Sequence, residues 1–167
     1  MQDGVAATRL SLAQMPSDTL RRMYTYWQSK CRTDRLPARK DIDPIDFPWA
    51  LGWVCLLDVE RYPMNFRYRL DGTTIAERYG ADLTGQTIDV VKPGFHAALL
   101  HKHFSEVAET GRPSVYRISL RYGGQARTYM RLALPFARDG ASVDMIMTVS
   151  ERLTPEYEDR DADQLFR

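Results

Sequence analysis

The groups best suited to chemistry in this sequence are three histidines, two cysteines and one carboxylate inside a strand-like run. His96, His101 and His103 share one helical segment. His96 and His103 stand two turns apart beside an apolar stripe and His101 lies near its other edge, so all three are expected as partly exposed surface side chains. A haem would need one of them as its axial ligand, and a single proximal histidine is a weak motif. A zinc site would need convergent thiolates, whereas Cys31 and Cys55 belong to different elements. They form no CxxC pair, and both sit in apolar patterns where a thiol behaves as a small hydrophobe. Reduced thiols, no metal and no cofactor are therefore expected, in a cytoplasmic setting. Asp58 is the one carboxylate within an apolar run. Catalysis needs several acid, base or nucleophile groups converging on one point. The other carboxylates fall in turns or on polar faces, so an enzyme would have to rest on Asp58, which a bond to a turn or an arginine explains more simply.

Arginines form the second constellation. Arg67, Arg69, Arg117, Arg121 and Arg131 all fall on the polar side of alternating segments, which predicts one shared sheet face. Such a face fits an acidic partner surface or a phosphate-bearing ligand. It fits equally a solvated face balanced by Asp58, Glu60 and Asp144, the plainer reading of a charge run. Arg35 and Arg39 have the spacing of half a cyclic-dinucleotide signature; the acidic, serine and glycine half does not come after them, and Pro37 accounts for the segment structurally.

The elements that must hold these groups are read from periodicity. Residues 1–15 are expected as a poorly ordered arm. Ser17 is a good N-cap with Asp18 in the first turn, and Leu20, Met23, Tyr24, Trp27 and Cys31 make one apolar stripe, predicting an amphipathic helix over 17–33. Pro37, Pro44 and Pro48 break the segment 36–48 into short pieces. From Val54 the period becomes that of strands: a buried run to Val59, a turn at Pro63, then Phe66, Tyr68 and Leu70 alternating with Arg67 and Arg69. A short helix from Thr73 stops at Gly80. A turn at Asp82 to Gly85 and an apolar patch at Ile88, Val90 and Val91 come next, and a longer helix runs from Gly94 to Glu109, closed by Gly111. Three strands finish the domain, turned at Gly123-Gly124 and Asp139-Gly140. Residues 153–167 are expected as a charged tail. Hairpin connections within each strand group imply an antiparallel sheet with helices gathered on one side and the N-terminal amphipathic helix in addition, an α+β domain.

Bulk properties narrow the function. The 167 residues suit one domain with a real core, and a net charge of +1 gives no overall field toward nucleic acid or anionic lipid. No stretch approaches the ~18 apolar residues of a membrane span.

The order of elements resembles the PAS fold, a five-stranded antiparallel sheet interrupted after its second strand by short helices. The residues that carry the likeness are Tyr26-Trp27, Leu36-Pro37-Ala38-Arg39 with Asp41 to Pro44, Phe66 to Thr73, Gly80 to Gly85, and Leu134-Pro135-Phe136. Over about residues 17–152 the chain is similar to bacterial single-domain PAS-like proteins of unassigned function. The resemblance implies a sheet with the first of its five strands central, a home in bacterial signalling, and a choice among ligand sensing, cofactor binding and partner binding that fold does not make. Light sensing of the flavin kind would need an asparagine-rich segment around a reactive cysteine, and Asn65 is the only asparagine.

In a PAS arrangement the inward rows would be Cys55, Leu57, Phe66, Tyr68, Leu100, Phe104, Tyr116, Ile118, Leu132, Met145 and Met147. They either line a pocket for a small apolar ligand or simply fill a core; alternation does not distinguish the two. Tyr24 and Trp27 are the kind of anchors that dominate interfaces, so the first helix either packs within a monomer or mediates a homodimer. Together with Arg69, Arg117, Arg121 and Arg131 they are the candidate partner-binding residues. The sequence thus predicts a non-catalytic signalling module acting through a partner protein, with or without an apolar ligand. The rival class is an enzyme on a cone-like α+β fold using Asp58.

Overall fold

The structure is a computed structural model that describes residues 2–153. The tail expected over 153–167 lies outside the described residues apart from Leu153. Six antiparallel strands, β1 (Gly4–Arg9), β2 (Val54–Glu60), β3 (Asn65–Leu70), β4 (Ser114–Tyr122), β5 (Gln125–Phe136) and β6 (Met145–Arg152), form one sheet in the order β1-β4-β5-β6-β2-β3. Three α-helices, α1 (Asp18–Lys30), α2 (Thr73–Tyr79) and α3 (Gly94–Thr110), are joined by short 3₁₀ turns.

One expectation is corrected here. The sheet has six strands, because the segment expected as a disordered arm contributes β1. Residues 4–9 pair along β4 from Gly4 opposite Arg121 to Arg9 opposite Tyr116, so the edge of β4 supplies the backbone partners an isolated arm would lack. Helices α2 and α3 lie on one face, and the additional N-terminal helix α1 lies on the other. The first strand of the remaining five, β2, is interior, flanked by β6 and β3.

Helix α1 begins as its sequence dictates. The Ser17 hydroxyl accepts from the Leu20 N–H, Asp18 lies in the first turn and Lys30 in the last. Its apolar stripe then buries Leu20, Met23 and Trp27, each worth about 2 kcal/mol of removed apolar surface. They meet Val54, Leu56, Val115, Met130, Leu132, Leu134, Phe136, Met145, Met147 and Val149 from the sheet. The Trp27 indole N–H donates to the Pro135 carbonyl at 3.0 Å. Pro135 is tolerated in β5 because β4 ends its pairing opposite Ala133, leaving no strand beside the missing N–H. Trp27 is therefore an intramolecular anchor, and Tyr24, stacked on it at 6.1 Å, is half-buried against the same cluster.

The other face is roofed by α2 and α3. Gly72, just ahead of α2, lies where a Cβ would come within 2.6 Å of the carbonyls of Gly52 and Val54, so only glycine lets this helix start so close to the entry of β2. Gly111 closes α3 in the left-handed region (φ +64°), with its N–H donating to the Val107 carbonyl.

Candidate functional site

Between the sheet and helices α2 and α3 lies a cavity of about 580 Å³, within the range of small-molecule sites. Leu57 and Cys55 from β2, Tyr68 from β3, Tyr129 and Arg131 from β5, Thr148 from β6, and His96, Leu100 and Phe104 from α3 line it. Register explains the set. Leu57 pairs with Tyr68 and with Ile146, Cys55 with Thr148, and Tyr116 with Arg131, so these residues point to one face. Their neighbours Leu56, Met147, Val149 and Met130 point to the other.

Of the residues predicted to line a pocket, Cys55, Leu57, Tyr68, Leu100 and Phe104 do so. Phe66 lies buried behind the wall, edge-on to Phe104 at 5.5 Å. Ile118 is buried without lining the cavity, and Tyr116 stacks on His103 instead. Leu132, Met145 and Met147 belong to the opposite face, packed under α1. The apolar rows of β5 and β6 were expected to face the cavity; they face α1, because its stripe needs an apolar floor. The alternate row of β5, Tyr129, Arg131 and Ala133, is what turns inward. Sequence reasoning missed Tyr129 for this reason, and missed His96 because it stands beside the apolar stripe of α3 and not on it. The signal that could have found Tyr129 is Trp27: an amphipathic helix with so large an apolar anchor has to claim one face of the sheet.

Arg131 also departs from its expected place. Arg67, Arg69, Arg117 and Arg121 do share the α1 face, but Arg131 projects to the cavity and is only 4% exposed. Arg121 is buried too, so the expected arginine surface does not exist as a whole. Arg69 lies near the end of that face in an ion pair with Asp58 at 2.7 Å. Asp58 thus lies on the face away from the cavity, held by an arginine, and the enzyme reading loses the carboxylate it was built on.

Electrostatics make Arg131 the centre of the site. Its Nη2 donates to His103 Nδ1 at 2.7 Å, and its guanidinium lies 4.8 Å from the centre of the Phe104 ring. Its Nη1 has no hydrogen-bond partner among the described residues, and no carboxylate forms an ion pair with it there. Burial lowers its pKa, although an arginine stays charged. Burying an unpaired ion costs on the order of several kcal/mol, a penalty proteins seldom carry without use.

The histidines adapt to this charge. Burial, then the Arg131 charge, lowers His103 to about 3 and His96 to about 4, so both are neutral. His103 is 3% exposed rather than at the surface, its Nδ1 free of hydrogen because it accepts from Arg131. His96 Nε2 shares a 2.8 Å hydrogen bond with the Tyr129 hydroxyl. His101 turns away to donate from Nε2 to the Met64 carbonyl. Burial pushes the Cys55 thiol up to about 12, and it donates to Asp71 at 3.2 Å, so it is an inert wall group. Asp71, just after β3, is buried and also accepts from the Leu83 N–H.

A polar chain leads outward from Arg131. His103 stacks on Tyr116 at 3.7 Å, the Tyr116 hydroxyl donates to Glu106 at 3.1 Å, and Glu106 pairs with Arg9 on β1.

A PAS domain family model matches residues 15–149. The chain belongs to the PAS domain family. Its fold is similar to the structure of the PAS domain from Bordetella pertussis BvgS, with a TM-score of 0.52 and 18% identity over 75% of this chain and 98% of that one. A looser similarity links it to an RNA-binding light-oxygen-voltage receptor, at a TM-score of 0.40 and 15% identity over 66% of this chain and 34% of that one. No curated protein sequence matches the chain at a significant level. Among PAS structural expectations, the antiparallel sheet and the helices inserted after its β2–β3 hairpin are present. The flanking helix α1 and strand β1 extend that frame. No helix among the described residues is long and apolar enough to cross a membrane, and no cluster of metal-ligating side chains occurs there.

Proposed function

We propose that this PAS domain is a non-catalytic sensory module whose signal is the occupancy of the cavity under α2 and α3, passed on by contact with a partner protein. The observation that carries the reading is the contrast inside one molecule. The α1 face is filled, whereas the α3 face leaves about 580 Å³ walled by Tyr68, Leu100, Phe104 and Arg131. A cleft of that size, apolar along its walls with a few polar groups and open at a charged rim, has the form of a small-molecule site. The chain from Arg131 through His103, Tyr116 and Glu106 to Arg9 supports an output at β1, since it ties the cavity wall to an edge strand that a partner can reach. Partner contact through exposed Arg69 on the α1 side fits the same scheme.

Native mass spectrometry of the purified full chain tests it. The expected spectrum shows a small molecule retained in gentle ionisation and released on unfolding. A chain with no retained mass, and no thermal stabilisation by any compound of a broad small-molecule library, would contradict the reading.

A further inference from the structure

The charge distribution around the cavity identifies the chemistry of its occupant. Among the described residues, five cationic side chains line it, Arg78, Lys92, Arg127, Arg131 and Arg152, against the one carboxylate of Asp71. Asp71 is already engaged by the Cys55 thiol and the Leu83 N–H. Arg78, Lys92, Arg127 and Arg152 are exposed and form a basic rim, which raises the local concentration of anions at the entrance. Arg131 is the one cation set deep inside, with its Nη1 unpartnered and no acidic residue among those described bonded to it.

We infer that the cavity takes a small monocarboxylate, its carboxylate on Arg131 and its apolar body against Leu57, Leu100 and Phe104. A planar guanidinium matches a planar carboxylate, and one buried cation balances one negative charge. A phosphate monoester, with close to two charges, would leave part of its charge uncompensated at this depth. A purely polar anion such as inorganic phosphate has no apolar body to set against Leu57, Leu100 and Phe104 and would lose hydration beside them. This inference rests on the cavity reading above and narrows it from a ligand in general, or the apolar one expected from sequence, to an anionic amphiphile.

Isothermal titration of the full chain with octanoate and with octanamide, and with phenylacetate and phenylacetamide, tests the charge directly. Each pair differs in the anionic group while keeping the apolar body. At pH 7.5 the acids are expected to bind at least tenfold more tightly than their amides in the wild-type protein. Arg131→Met is expected to abolish that preference while leaving amide binding unchanged, and Arg131→Lys to restore part of it. Equal affinity for acid and amide, or a preference that survives Arg131→Met, overturns the carboxylate assignment and leaves the cavity reading standing. If no compound of either pair binds, the assignment also falls, and a mass retained in native spectrometry then decides whether the cavity reading falls with it. The acid-against-amide comparison on the wild type needs no variant, so a misfolded Arg131→Met does not protect the proposal.

Discussion

The two faces of the central sheet are built from the same strands and solve opposite problems. Under α1, Leu134, Met147, Val149 and Leu132 are essentially without exposure and interlock with Leu20, Met23 and Trp27. Under α3, the alternate residues of those strands include Arg131, Tyr129 and Thr148, and the space between them and the helix is left open. One face therefore supplies the stability with which the other can carry an unpaired buried cation and an unfilled volume. On the proposed reading, this division separates the work of holding the fold from the work of sensing and puts the latter on the less closely packed side.

Matched truncations sharpen the comparison most. Leu134→Ala, beneath α1, is expected to cost about 4 kcal/mol in urea denaturation, because it opens a void in a closed core. Leu100→Ala, on the cavity wall, is expected to cost about 2 kcal/mol, since it enlarges a space that already exists. Equal losses would mean that the two faces are packed alike. Acid breaks the comparison differently, because only the α3 face holds buried neutral histidines. His103 is lowered to about 3 and His96 to about 4 by burial and then by the Arg131 charge. Unfolded histidines titrate near 6.5. The unfolded chain thus takes up more protons below pH 6.5, and the stability present above that pH is lost progressively as pH falls toward the folded values. Between pH 6.5 and 5.5 the loss is expected to be about 1 kcal/mol for each histidine. The measurement is denaturation across that range for the wild type and for His103→Gln, which should flatten the dependence by about half.

Much of the frame was legible from the sequence, and the reason it was legible also explains what was not. Ser17, Gly80 and Gly111 mark helix ends by local chemistry, and Gly123-Gly124 marks a hairpin, so these features do not depend on distant contacts. Alternation in β5 correctly separated Tyr129 and Arg131 from Met130 and Leu132. It could not say which row meets which layer, because a sheet covered on both sides has no wet face to which the polar row can be assigned. Arg131 was consequently placed in solvent and Met147 in the cavity. The N-terminal strand escaped notice because GVAATR has no strict alternation; its order comes from the free edge of β4, a non-local cause. Nothing local marks Asp71, and only the fold shows its carboxylate buried between Cys55 and Leu83.

The central claim is that the α3 face, and not the α1 face, is the receptive one. Methyl-labelled NMR of the full chain titrated with octanoate tests it most directly. Saturable shifts are predicted in the methyl signals of Leu57, Leu83 and Leu100, with those of Leu134, Met147 and Met23 unmoved. Shifts concentrated in the α1-face methyls, or no shift anywhere at saturating octanoate, would contradict it.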